Sequence, residues 1–484
     1  MKAPAHTRGA RRHPILGAAS LAIQSLTLNA LSLFATAYII RRMGTLHYGE
    51  WAAAASLASA HLVVTNPGLR TLFVRDVARR PDNAKELLAE QLGLRLVLGA
   101  LAAASAMSIC LLFGYPPIVV ACMAVGCVWI ILSALWTTLG DLLQSLELFA
   151  TYSAVGMVSG LVVTASAVLV AYLGYGSVAL TVAYLTAPAV NAVLYWNEVS
   201  KRVPIGIRWS RFRAIELLRE SRFVGFNALS TTIRDRAEQL LVPGFVGLEA
   251  FGVFSVGTIA ADRLGNIPDA IGTAFYPRIS HATAASKVTA DAAVLSMLTL
   301  GVAVCVPVAI LGTFLAPLIA EIMLPGSSET GRALMSVSVW SVPLMALSTG
   351  MLYSLQASGH YDLAARAGFL ATTVSAGLSL ALISTLGLTG AAWSFVARPA
   401  ILTVMLLLPF LRVFPSVLVA VPFVRILLSA STLGAVCLVA DRQRIFPALG
   451  YASAGVVAYG LALLGTRVVS ASAVRQLLPS AAPE

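Results

Sequence analysis

Four charged side chains, Arg234, Asp235, Arg236 and Glu238, interrupt the first part of the stretch from Phe223 to Phe254, which is otherwise long and apolar enough to cross a bilayer. A charge at the centre of a spanning helix costs about 2.5–3.5 kcal/mol on insertion scales, so such residues face a partner or a water-filled cavity and mark an ion or substrate path. At about 100° per residue, Asn227, Thr231, Arg234 and Glu238 share one stripe of that helix, and Arg234 and Glu238 are spaced to pair across one turn. Arg236 points off the stripe. The competing reading puts the cluster at the membrane surface, with the helix boundary shifted.

Other polar groups lie in comparable positions. Arg70 follows a helix-breaking Asn66-Pro67-Gly68, and non-helical backbone at membrane depth is tolerated only where it lines a cavity or is buried in protein. Arg398 precedes Pro399 inside an apolar run, and Asp262-Arg263 lie inside another. Together, Arg234, Arg398 and Arg70 would make a net cationic cavity, suited to an anion with several oxygens. Guanidinium binds phosphate through paired hydrogen bonds. Asp235, Glu238 and Asp262 have two readings: each exchanges H+ or Na+ to couple a gradient to movement, or each neutralises an arginine. Gln24, Asn29 and Asn227 can hydrogen-bond a sugar headgroup, and Gln24 and Asn29 can equally join helices. Arg42 and Arg95 lie near helix ends and are expected to snorkel to the interface. His61 is read as a satisfied buried histidine.

These residues need a membrane scaffold, and the composition supplies one. The 484 residues are 58% hydrophobic and 11% charged, with a mean hydropathy of +0.85. That describes an all-α polytopic membrane protein. Apolar runs predict about 14 transmembrane helices, at 15–40, 50–72, 91–113, 117–138, 151–173, 177–197, 223–245, 250–275, 292–316, 333–356, 364–386, 388–410, 421–440 and 446–466. The first run, after a basic N-terminus, is too long for the core of a cleaved signal and reads as a retained helix. The five cysteines all fall in apolar segments without ligand spacing and read as core residues.

An internal repeat organises these helices. Gly44, Tyr48, Gly49 and Trp51 recur as Gly247, Phe251, Gly252 and Phe254. Leu143-Gln144 with Gly156 recurs as Leu355-Gln356 with Gly368, and Gly176 with Pro188 as Gly387 with Pro399. The offset of about 200–215 residues divides the chain into two six-helix lobes, 1–215 and 216–415, followed by two C-terminal helices and a cytoplasmic tail in 416–484. Two homologous halves suit a transporter with its site where they meet.

The formal charge of +12 does not require nucleic acid, because basic cytoplasmic loops set membrane orientation. With the N-terminus inside, cytoplasmic segments hold most of the Lys and Arg, and both termini are cytoplasmic. The richest segment is 198–222, where Trp209, Phe212 and Ile215 interleave with arginines. It is either a basic linker or partly an amphipathic helix on anionic lipid. The opposite loops are short, the longest at about 317–332, leaving no room for catalytic carboxylates on an external loop. No Ser/His/Asp set, HExxH, P-loop or zinc spacing is present. The chain is therefore not expected to be an enzyme or to hold a metal or cofactor, and uphill transport would draw on an ion or substrate gradient.

Arg42-Met43-Gly44 with Tyr48-Gly49, Pro67-Gly68-Leu69 leading to Arg75, and the run from Asp235 to Phe254 resemble the Wzx-type polysaccharide biosynthesis flippases. The similarity extends over essentially the whole chain through loose motifs. It departs from some relatives at Asn66, where an acidic residue is common. The resemblance implies the multidrug/oligosaccharidyl-lipid/polysaccharide (MOP) exporter superfamily, whose two lobes form a V-shaped cavity opening to each side of the membrane in turn. It also implies a bacterial cytoplasmic (inner) membrane location and a polyprenyl-diphosphate-linked oligosaccharide as cargo, for surface polysaccharide or exopolysaccharide. Arg234, Asp235 and Arg398 stand where such relatives engage the pyrophosphate, and polysaccharide polymerase or export proteins become candidate partners. The alternatives are a cation-coupled multidrug exporter, a lipid II flippase of the same superfamily, and a membrane scaffold or sugar-pathway enzyme.

Overall fold

The computed structural model describes residues 14–323, 328–439, 445–466 and 468. The basic N-terminal residues 1–13 and nearly all of the expected C-terminal tail lie outside the described residues. The chain forms two compact units, 1–229 and 230–484, and all described regular structure is helical.

In the first unit, α1 (Pro14–Thr65) contains the first two expected spans, broken at Gly44. Then come α2 (Leu69–Arg79), α3 (Ala84–Leu112), α4 (Pro117–Ser145), α5 (Phe149–Tyr172) and α6 (Ser177–Ser200). The second expected span, 50–72, ends early, because Asn66-Pro67-Gly68 stops the helix at Thr65 and a separate short helix follows. Gly68 has φ +78° and a Cβ there would approach Val224 Cβ to 2.7 Å, so this turn needs glycine for both conformation and space. The core of the unit gathers Phe73, Val77, Leu88, Leu92, Leu139, Leu142, Leu143 and Tyr195.

α7 (Arg211–Phe245) begins in the first unit and ends in the second. The second unit continues with α8 (Leu248–Leu264), α9 (Asn266–Ala285), α10 (Lys287–Met323), α11 (Ser328–Ser338), α12 (Ser341–Ala357) and α13 (Tyr361–Val413). The one-turn α14 (Val417–Ala420) leads to α15 (Phe423–Val439) and α16 (Ile445–Gly465). α13 again contains two expected spans, broken at Gly387. Two expected spans prove to be helix pairs: 250–275 divides at Gly265, and 333–356 divides after Ser338. Most of the expected 317–332 loop is helical, since α10 runs to Met323 and α11 starts at Ser328. The last two helices pack on α10 through Ile426, Leu433 and Tyr459, whose hydroxyl donates to the Ala303 carbonyl at 2.7 Å.

Eight helical stretches among the described residues are long and apolar enough to cross a membrane. Many of their large apolar side chains point outward, including Leu111, Leu112, Leu169 and Leu408. Helices hydrophobic all round with an apolar exterior are the mark of a bilayer-embedded protein.

The repeat is visible in backbone geometry. Gly44 (φ 82°, ψ 166°) and Gly247 (φ 104°, ψ 168°) share a conformation open essentially only to glycine. Each is followed by aromatic residues three apart, Tyr48 with Trp51 and Phe251 with Phe254, whose ring centroids lie 5.1 and 6.3 Å apart. The α4 and α12 ends also match. Leu148 N–H donates to Leu143 C=O and His360 N–H to Leu355 C=O, both at 2.8 Å, and Glu147 and Gly359 donate to Gln144 and Gln356, both at 3.0 Å. These are the paired bonds of a Schellman helix end. The other repeated glycines diverge: Gly176 has negative φ where Gly387 has φ +59°, and Gly156 meets a side chain where Gly368 meets open space.

Candidate functional site

The structure sorts the candidate residues into one buried charge cluster in each unit. In the second unit, α7 and the latter half of α13 supply the main groups. Arg398 is 6% exposed and stacks its guanidinium over the Phe395 ring at 4.6 Å. Its Nη1 donates to the Asp235 backbone carbonyl at 2.9 Å and to Glu238 Oε2 at 3.2 Å. Glu238, 1% exposed, accepts a second bond from Ser379 Oγ at 3.1 Å. The Arg234–Glu238 pair expected from spacing does not form among the described residues. Glu238 is taken by the buried Arg398 instead, and Arg234 Nε turns to the neighbouring Asp235 at 3.3 Å. A fully desolvated carboxylate gains most from an equally desolvated cation, so the cross-helix partner outcompetes the local one.

Asp235 differs from its neighbours in being open. Its side chain is 47% exposed, yet it lies against Arg234 Nε and 3.9 Å from Arg398 Nε. Two largely buried guanidiniums thus converge on one accessible carboxylate. Arg236, unexplained by the sequence, donates to Gln239 Oε1 at 2.5 Å. Asp262 is exposed and within electrostatic reach of Arg398, Arg236 and Arg263. Acids offset the cations of this group to within one charge: Arg234, Arg236, Arg263 and Arg398 stand among Asp235, Glu238 and Asp262. The two buried arginines, Arg234 and Arg398, each have a carboxylate within 4 Å, which relieves the penalty on an unpaired buried charge.

Arg70 belongs to the first unit. Its Nε lies 3.2 Å from Asp141 Oδ1 and its Nη2 donates to Gln144 Oε1 at 2.7 Å, although the side chain is 54% exposed. The other Asp141 oxygen accepts from Arg95 Nη1 at 2.8 Å. Arg95 is wholly buried and also reaches Thr138 Oγ1 at 3.3 Å. The expectation that Arg95 snorkels to an interface is therefore wrong: α3 starts at Ala84, well before Arg95, and packs it against α4. Arg42 is exposed, with its guanidinium 5.7 Å from the Tyr38 ring centroid. Asp141 was missed by sequence reasoning. The available signal was a lone carboxylate in a long apolar run, on the same α4 face as Thr138 and Gln144.

The remaining candidates separate by role. The Gln24 amide lies against Gly156, where a Cβ would come within 2.0 Å of Nε2, so Gln24 joins α1 to α5. Asn29 is half-buried in α1, and its carbonyl accepts from Ser32 Oγ at 2.9 Å. Asn227 is exposed on the first-unit part of α7. His61 hydrogen-bonds the Leu57 carbonyl at 2.8 Å and approaches Ser105 Oγ at 3.4 Å, which accounts for both ring nitrogens.

Residues 17–330 match the family model described as "Polysaccharide biosynthesis protein". No curated protein matches the sequence. Among solved structures, the chain is similar to the lipid II flippase MurJ in its inward closed conformation, with TM-score 0.71 and 12% identity over 93% of this chain and 98% of that one. It is also similar to an inward-facing multidrug resistance MATE transporter of the MOP superfamily, with TM-score 0.61 and 16% identity over 82% of this chain and 98% of that one. A third likeness is to a MOP-superfamily transporter from Pyrococcus furiosus, with TM-score 0.54 and 15% identity over 83% of this chain and 95% of that one. At such identities the structures speak for fold. Combined with the family match, the repeat geometry and the apolar exterior, they establish that the chain belongs to the polysaccharide biosynthesis protein family and is a multi-pass membrane protein with the fold of these MOP-superfamily structures.

Proposed function

We propose that the protein is a flippase that moves a polyprenyl-diphosphate-linked oligosaccharide outward across the cytoplasmic membrane by alternating access, for a surface or secreted polysaccharide. The observation that supports this reading is the convergence of the buried Arg234 and Arg398 on the exposed Asp235 carboxylate. Two guanidiniums already arranged around one anionic group can exchange it for a phosphate, whose oxygens match their paired N–H donors. Family membership supplies the biological setting, and the lipid carrier explains why the anion site sits in a membrane protein at all. Within the first unit, Arg70, Asn29 and Asn227 are further candidates for polar groups of the cargo, whereas Gln24 is engaged against Gly156. In this reading Asp235, Glu238 and Asp262 hold the arginines between transport cycles. Both termini would then be cytoplasmic, with basic loops on that face.

The decisive measurement is mass spectrometry of polyprenyl-linked intermediates from cells lacking the gene. A completed oligosaccharide should accumulate on its lipid carrier. Arg234→Ala, made at normal protein level, should reproduce that accumulation and lower polysaccharide export at least about tenfold, as loss of a charged hydrogen-bond partner does. An unchanged lipid pool and unchanged export would overturn the assignment.

A further inference from the structure

The segment joining α6 to α7 and the first turns of α7 carry a surface that neither charge cluster uses. Residues 201–210 are not helical, yet they are pinned to the first unit. Arg208 N–H donates to the Ala89 carbonyl at 2.9 Å, and a Cβ on Gly93 would come within 2.2 Å of the Arg208 carbonyl oxygen. The linker backbone therefore crosses α3 where only glycine leaves room. Val203 and Ile205 pack against the first-unit core, and Ala214 and Leu217 of α7 pack against Leu69 and Leu94.

This docking fixes which face of α7 points outward. At about 100° per residue, Ala214, Leu217, Ser221 and Gly225 form the buried face, and Phe212, Ile215, Arg219, Arg222, Phe223 and Phe226 form the opposite one. Phe212 is 77% exposed, and Ile207, Trp209 and Ile215 are each more than half exposed.

The charges of the segment are sorted in the same way. Its acids are all engaged internally: Glu198 with Lys201 and Arg202, Glu216 with Arg213, and Glu220 with Arg75. Hydrogen bonds donated to Glu216 and to Glu90 hold the Arg213 guanidinium pKa above its ordinary value against the opposing effect of burial. Arg208, Arg211 and Arg219 are exposed and have no ion-pair partner among the described residues. Cations without an ion-pair partner among the described residues therefore lie beside aromatic and aliphatic side chains on a packed support, along the linker and the first turns of α7.

We propose that Ile207, Trp209, Phe212 and Ile215, with Arg208, Arg211 and Arg219, form an interfacial anchor that docks on the adjacent bilayer surface and selects anionic phospholipid headgroups. The apolar side chains enter the headgroup–acyl boundary, and the three guanidiniums bind lipid phosphate. The anchor is independent of the cargo assignment, since it uses none of the residues given to the diphosphate.

The test uses the full-length protein with Phe212→Cys labelled by an environment-sensitive fluorophore, reconstituted in phosphatidylcholine vesicles with or without phosphatidylglycerol. Position 212 is exposed, so the substitution removes no core packing. Phosphatidylglycerol should shift the emission to the blue and protect the label from an aqueous quencher. Each arginine near an anionic surface contributes roughly a fivefold change in partition, so Arg208→Gln/Arg211→Gln/Arg219→Gln should lower the docking equilibrium constant on the order of a hundredfold. High salt should mimic that loss. A label equally accessible in both vesicle types, or a triple variant that docks as well as its parent, would overturn the proposal. So would protection that requires an added protein instead of the anionic lipid. A second readout guards against labelling artefacts: phosphatidylglycerol should raise the thermal stability of the unlabelled protein but not that of the triple variant.

Discussion

The two charge clusters are built from the same residue types but turned inside out. In the first unit the carboxylate is buried: Asp141 is 4% exposed and is held between the sealed Arg95 and the open Arg70. In the second unit the shared carboxylate, Asp235, is the open member, and the cations on either side of it are buried. A buried acid with fixed partners cannot be replaced without stranding a charge, so Asp141 serves the fold and aims Arg70. An open acid between buried guanidiniums can be replaced by another anion, which is why the proposed function places the ligand at Asp235. Which group of an ion-pair network faces solvent therefore separates architecture from binding better than residue type does.

Asp141→Ala gives the largest expected effect. It leaves Arg95 buried with no carboxylate, at a cost of about 3–5 kcal/mol, and should appear as a steep loss of folded protein in detergent. Replacing both partners, as in Arg95→Met with Asp141→Leu, should recover most of that stability. Recovery of full export in that double variant would show that aiming Arg70 is dispensable.

The next effect comes from Gly93→Ala, two residues from Arg95. The added methyl meets the Arg208 carbonyl, so the 201–210 strap must shift, costing about 1–3 kcal/mol. Limited proteolysis should cut that strap faster. Unchanged protection would mean that the first unit does not depend on the strap.

Asp235→Asn tests the contrast directly. Because its acid is open and asparagine keeps an oxygen that can accept from the buried Arg234, stability should fall by about 1–2 kcal/mol, less than for Asp141→Ala. Removing the competing carboxylate should raise the affinity for inorganic pyrophosphate, read by calorimetry on purified protein. If Asp235→Asn is as destabilising as Asp141→Ala, the distinction between the two clusters collapses.

The smallest effect is a stabilisation. Glu147 holds φ +60° where its repeat counterpart is Gly359 at φ +85°. Glu147→Gly should relieve left-handed strain worth about 0.5–1 kcal/mol and raise the melting temperature slightly. No change would mean that Glu147 makes a compensating interaction.

Much of this was legible in the residues themselves. Composition and apolar runs establish an all-α membrane chain, because a bilayer leaves helices as one of very few ways to satisfy the backbone. The Gly44 and Gly247 repeat could be read because a conformation open only to glycine must be written with glycine wherever it recurs. Arg234 and Arg398 stood out because an ionised group in an apolar run is conspicuous. Tertiary packing decided what these groups touch. Spacing along α7 suggested an Arg234–Glu238 pair, but Arg398, 160 positions further along the chain, is closer in space and better buried. Arg95 looked like an interfacial residue because its helix start could not be placed from hydropathy, and Asp141 looked like nothing because its partners lie on other helices. Sequence records which charges enter the membrane. Only the packing of helices decides which charge each one meets, because pairing energy depends on distance and desolvation, and neither is written locally in the chain.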